Sequence, residues 1–141
     1  MGKRSPNRIS IPTAQVGPRV TLPTYATKRP DDCHPVFSFE YMVDTHSVET
    51  CQKDECASLA LKLFKLSRLT WQQINQAPRH GLGFEIIKRD CIKAPIPNIV
   101  TPEVNLVAFR FHSLAPMVGF RRDHIFFIIW LDRDFTLYDH S

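Results

Sequence analysis

The residues best suited to moving protons and holding an anion lie in the second half of the chain. Tyr138 and His140 stand two apart near the C-terminus, so on a strand they would share a face, and both side chains transfer or orient protons. Arg110 alternates onto the face opposite Phe109 and Phe111, where its guanidinium can grip a phosphate through two parallel N–H bonds. Arg121, Arg122 and Lys88 add positive charge as candidate substrate-binding groups. His80, in the Arg79-His80-Gly81-Leu82-Gly83 turn, and Glu85 supply a further acid or base. Each also has a plainer reading: Arg110 as a salt-bridged or solvated sheet residue, Tyr138 as a half-buried strand aromatic, His80 as a turn residue bonded to backbone, and His140 as a surface histidine near a fraying end. Trp71 and Trp130 read as core anchors. Only convergence in space would turn the set into a site.

Other chemistries lack local support. The chain has no G-x-x-x-x-G-K-[ST], G-x-G-x-x-G, G-x-S-x-G or H-E-x-x-H pattern, so no nucleotide cofactor is expected. Asp132, Asp134 and Asp139 read as a solvated turn rather than a metal site. Cys33, His34, His46, Cys51 and Cys56 lack the paired spacing of structural zinc ligands. Cysteines at 33, 51, 56 and 91 fit neither a CxxC pair nor a dense disulfide framework, and reduced thiols are expected.

The elements that must position these groups follow from hydrophobic period. Val36 to Val43 alternates strictly, predicting a half-buried strand with Phe37, Phe39, Tyr41 and Val43 on one face. From Lys53 to Leu69 the period lengthens, with Cys56, Leu59, Ala60, Leu63, Phe64 and Leu66 as the apolar face of a helix and Asp54 and Glu55 in its first turn. Thr70-Trp-Gln-Gln73 has the form of a capping box and opens a short second helix that must end before Pro78. Phe84 to Lys88 is a short strand or a helical turn, and Pro95, Pro97 and Pro102 mark a loop. The rest reads as a meander of strands over 105–112, 117–121, 125–131 and 135–138, whose short connections favour antiparallel neighbours. Ile125 to Trp130 is apolar on both faces, as a central strand is. The expected class is α+β: an N-terminal strand, one main helix and a short helix packed on a curled antiparallel sheet of three to five strands.

Charge divides along the chain. The 141 residues carry a net +4, yet residues 1–30 hold six basic groups and no carboxylate, leaving −2 on residues 31–141. The first thirty residues also hold five prolines at intervals of five to seven, which obstruct helix and ladder alike. Residues 1–34 therefore read as a basic extension, flexible or folded onto a partner such as a second copy, and 35–141 as a single domain. Composition excludes collagen-like, coiled-coil and disulfide-scaffold classes. The longest apolar run, Ile125 to Leu131, is far shorter than a membrane span, and Met1 to Thr13 do not form a secretory signal, so no membrane association and a cytoplasmic location are expected.

The stretches Ala108-Phe-Arg110-Phe, Met117-Val-Gly-Phe-Arg121, Phe126-Phe-Ile-Ile-Trp-Leu-Asp132 and Leu137-Tyr138-Asp139-His140, following two helices, resemble the RelE/ParE-like toxin superfamily of bacterial type II toxin-antitoxin systems. The chain is also similar to a group of small bacterial and mobile-element proteins of unassigned function that share a Trp…His-x-x-Gly region and the GF-R…IFFIIWLD…LYDH ending. The resemblance covers roughly residues 36–140. It implies helices on a curled sheet, metal-free cleavage of RNA, at the ribosome in some members, and a neutralising antitoxin. Such cleavage needs a base for the 2′-OH, an acid for the leaving 5′-oxygen and cations on the phosphorane. His140, Tyr138, Arg110, His80 and Glu85 are the candidates for the catalytic roles. The competing expectation is a non-enzymatic protein-binding accessory module, and a third is a tail that contacts nucleic acid non-specifically through its charge.

Overall fold

The computed structural model describes residues 28–139, so the expectations placed on residues 1–27 lie outside it. Five strands form one mixed sheet: β1 (Val36–Ser38), β2 (Glu85–Ile87), β3 (Leu106–His112), β4 (Ala115–Arg122) and β5 (Ile125–Leu131), in the order β1-β5-β4-β3-β2. Two α-helices, α1 (Lys53–Ser67) and α2 (Trp71–Gln76), follow β1 in the chain. The class is α+β as expected, but the sheet is not wholly antiparallel. β1 pairs parallel to β5, Val36 opposite Ile125, and the long connection through both helices makes a parallel pairing possible.

Both faces of the sheet are covered. On one face Leu59, Leu66, Trp71 and Ile74 of the helices pack on Val107, Phe109, Phe111, Met117, Phe126, Ile128 and Leu131. On the other, irregular segments carrying Tyr41, Val43, Ile92, Val100, Leu137 and Tyr138 cover Leu106, Ala108, Val118, Phe120, Phe127, Ile129 and Trp130. Ile129 and Trp130 are consecutive yet share a face, because the β4–β5 register slips by one residue between Val118 and Gly119. This bulge also needs Gly119, where an added Cβ would stand 1.9 Å from the Phe127 carbonyl oxygen.

Local chemistry explains where the elements depart from their sequence period. The strand expected over 36–43 stops at Ser38, whose Oγ accepts from the Glu40 N–H, and the Met42 N–H then donates to the Phe39 carbonyl. This turn leaves Phe39 exposed and carries Tyr41 to the far side of the sheet, its ring 5.3 Å from that of Phe127. The strand expected over 135–138 is absent. Phe135 takes φ 58°, and Asp132, read from the sequence as a solvated turn residue, is fully buried. Its carboxylate accepts from the backbone N–H groups of Thr136 and Leu137 at 2.8 and 3.0 Å, which folds the tail onto the sheet.

α1 is rotated from its expected face. Glu55 is buried, bonded to Arg133 Nε at 2.7 Å and accepting from the Gln52 N–H at the helix start, so the inward stripe is Glu55, Leu59, Leu66. Ala60 and Phe64, read from the sequence as buried, point outward instead, and Leu61 and Phe64 are 59% and 58% exposed. α2 begins as expected, with Thr70 and Gln73 exchanging the two bonds of a capping box. Its Trp71 is a core anchor, as expected, and donates from Nε1 to the His124 carbonyl at 2.9 Å. Trp130 is likewise fully buried. All four cysteines are free thiols, and burial pushes that of Cys51 up to about 11. Among the described residues no helix is long and apolar enough to cross a membrane.

Gly119→Ala should cost about 3 kcal/mol or more in urea unfolding, whereas Gly81→Ala, whose Cβ would meet nothing nearer than 3.6 Å, should stay within about 0.5 kcal/mol. The Arg133 bond, then that from Gln52, holds the Glu55 carboxyl below its ordinary 4.5, so its contribution is complete above that pH and is lost as pH falls through the depressed value. Thermal melts from pH 7 to 3 should show a shallower acid loss in Glu55→Gln than in the parent, from a lower starting Tm.

Candidate anion-binding cleft

The polar stripe of α1 that does not enter the core is built at helical spacing. Asp54, Ser58, Lys62 and Lys65 recur at four, four and three residues, which brings them onto one side of the cylinder. That side faces the β3–β4 hairpin and the turn after α2, and between them lies a cleft of about 490 Å³. Lys62, Lys65, His80 and Arg110 line it with Ser58 and Ser113, and no carboxylate does.

The Lys, His and Arg side chains come from three elements: α1, the turn after α2, and β3. The Lys62 ammonium donates to the Gly81 carbonyl at 2.9 Å, tying α1 to the turn that carries His80. That turn is the one expected from the sequence: the N–H groups of Gly81 and Gly83 both donate to the Pro78 carbonyl. Burial, and then the neighbouring Lys65 charge, lower the Lys62 ammonium from its ordinary value, so an anion in the cleft would relieve a cost already present. Arg110 is set by two contacts, Nη1 to the Leu114 carbonyl at 2.9 Å and Nη2 to Glu85 Oε1 at 2.8 Å. The other Glu85 oxygen accepts from Arg79 at 3.3 Å.

Glu85 and Ala108 are register partners, which places the carboxylate beside Arg110 on the far face of the sheet. A second cleft, of about 510 Å³, opens on Glu85's other side and is lined by Lys88, Lys93, Tyr138 and Asp139 among others. The Arg110–Glu85 pair thus stands between two clefts. Tyr138 lies close to both of its members: burial raises the phenol above its ordinary value, with the Arg110 charge opposing that and Glu85 adding to it.

Of the residues singled out from the sequence, Arg110, Glu85 and Tyr138 come together, His80 shares the first cleft with Arg110, and Lys88 lines the second. Arg121 and Arg122 do not join them. Arg110 pairs with Pro116 at one end of β4, and Arg121 lies five residues further on, about 17 Å at strand spacing. There the Arg121 guanidinium lies 4.2 Å over the Trp71 ring, pairs with Asp31 at 2.6 Å and donates to the Asp123 carbonyl. Arg122 is exposed beside Phe120. His140 lies outside the described residues. Sequence reasoning passed over Ser58, Lys62, Lys65 and His112. The signal was the Asp54, Ser58, Lys62, Lys65 stripe, which reads as an ordinary solvated face until the rotation of α1 is known.

No protein-family model matches the chain, and neither a curated protein nor a solved structure matches it. Among the described residues no group of three or more His, Cys, Asp or Glu side chains gathers as metal ligands do.

An oxyanion should therefore bind in the first cleft. Sulfate at ten times its Kd should stabilise the protein by about 1.4 kcal/mol. Lys62→Met and Arg110→Met should each abolish most of that gain, while Arg122→Met should retain it.

Proposed function

We propose that this domain binds RNA through the cleft between α1 and the β3–β4 hairpin and acts on it as a toxin-like endoribonuclease of the RelE/ParE kind. The observation that carries the reading is the lining itself: three cations and a histidine drawn from α1, the turn after α2 and β3, with no carboxylate among them. A phosphodiester placed there meets the Arg110 fork, already aimed by Glu85 and the Leu114 carbonyl, with Lys62 and Lys65 on its other side. His80, exposed on the same cleft, is the group placed to give or take a proton at the scissile phosphate. Glu85 and Tyr138 act through Arg110, as positioning residues behind it. The resemblance to toxins and the arrangement of two helices on a mainly antiparallel sheet point the same way.

A second reading, a protein-binding accessory module, is favoured by one observation. Leu61 and Phe64 present apolar surface on the outside of α1, beside the cleft. On the toxin reading the same patch would be available to a neutralising antitoxin.

Binding to a single-stranded RNA, followed across a salt series, separates these readings. The parent should bind with a steep salt slope, and Lys62→Met should shallow it by about 0.7, the loss of one phosphate contact. Expression in a bacterial host should slow growth, and Arg110→Ala or His80→Ala should restore it. A parent protein that neither binds nor cleaves RNA, and leaves growth unaffected, overturns the proposal in favour of the protein-binding module.

A further inference from the structure

Ser58 is more than a wall of the cleft. Its Oγ lies 2.8 Å from His112 Nδ1, and on the other side of that ring Nε2 stands 3.9 Å from Asp54 Oδ2. Asp54 and Ser58 are one helical turn apart on α1, and His112 reaches them from the end of β3, at the irregularity in the β3–β4 register. Ser58 lines the cleft whereas His112 does not, so the hydroxyl stands between the cleft and the imidazole, with the exposed Asp54 carboxylate on the ring's other side. With its proton on Nε2, the side nearer the Asp54 carboxylate, the ring leaves the Nδ1 lone pair to accept from the serine hydroxyl. Nucleophile and base are therefore within hydrogen-bond reach, and Lys62, one turn along the same stripe, and Arg110 supply positive charge at the cleft.

We infer that Ser58 is a nucleophile activated by His112, and that its substrate class is a phosphate diester held by Lys62, Lys65 and Arg110. The substrate class rests on the reading of the cleft as a phosphodiester site; the nucleophile does not. In the step, Ser58 Oγ forms a bond to phosphorus while its proton passes to His112 Nδ1. The bond from phosphorus to the leaving alcohol's oxygen breaks, and that oxygen takes up a proton from His80 or water. Water then attacks phosphorus in the seryl phosphodiester and gives its proton to the group that protonated the leaving oxygen, while the bond from phosphorus to Ser58 Oγ breaks and His112 returns its proton to that oxygen. The net reaction is hydrolysis, with no oxidant or reductant required. Unlike attack by an RNA 2′-OH, this route does not need that hydroxyl in the substrate.

A fluorophosphonate probe tests the nucleophile directly, since Ser58 would displace fluoride and retain the phosphonyl group. Intact mass and peptide mapping of the full chain should show one adduct, on Ser58, and none after Ser58→Ala. His112→Ala should slow labelling at least ~100-fold, and Ser67→Ala, on the same helix but outside the cleft, should leave it unchanged. A folded parent protein, checked by circular dichroism, that takes no adduct at Ser58 overturns the inference. So does labelling at an unchanged rate in His112→Ala. If the parent also binds RNA, it should cleave a 2′-O-methyl RNA, and cleavage confined to 2′-hydroxyl RNA overturns the serine route while leaving the RNA reading intact. Labelling at Ser58 without RNA binding has the opposite consequence: the nucleophile stands and the RNA reading falls.

Discussion

At Gly119 the backbone of β4 comes so close to Phe127 that no side chain fits between them, and beside this point β5 takes in one extra residue. Without that residue a strict alternation would send Trp130 toward the helices and Leu131 away from them. With it, Ile129 and Trp130 both face the irregular layer, and Leu131 returns to the helical core. The next residue is Asp132, whose buried carboxylate folds the tail back across the sheet and delivers Leu137 and Tyr138 to the face that carries Glu85 and Arg110. The close approach at the centre of the sheet thus sets which polar groups meet at its edge.

The cleft depends on a second constraint, the rotation of α1. Pairing of Glu55 with Arg133 turns the helix so that a carboxylate enters the position an apolar residue would take. Ser58 and Lys62 are then half-buried against the β3–β4 hairpin, and Leu61 and Phe64 are left in solvent. Partial burial of Lys62 makes its charge costly and an incoming anion correspondingly welcome. The charge that matters is local: the body of the protein is slightly acidic, yet one concavity collects three cations and a histidine from α1, β3 and the turn after α2. Opposite charge is kept behind them, in the Glu85 carboxylate that orients Arg110 from the far side.

Much of the fold was legible because the period of the apolar residues changes where the elements change. The long helix and strands β3 and β5 follow from that signal to within a residue or two, and the Thr-x-x-Gln pattern marks the Thr70 capping box. What misled were segments in which one polar atom overrides the period. Ser38 ends a strand that alternation would carry on to Val43, and Asp132 converts an expected strand into a folded tail. The meeting of Arg110, Glu85 and Tyr138 joins residues brought close by sheet order and by the tail's fold, neither of which a local pattern encodes. Arg121 illustrates the converse, since a strand arginine that looked available is held over Trp71 and paired with Asp31. Ser58 and His112 are 54 positions apart in the chain, and nothing in either segment announces the other.

The proposed anion site is the α1 cleft, not the arginines at the other end of β4 or the basic N-terminal segment. Side-chain ¹⁵N NMR of the full chain, titrated with a short single-stranded RNA, tests it most directly. The Arg110 Nε–H and Lys62 Nζ resonances should shift together and saturate with one Kd, while Arg121 stays where it is. Saturable shifts at Arg121, Arg122 or the basic residues before Pro30, with Arg110 and Lys62 unmoved, would contradict it.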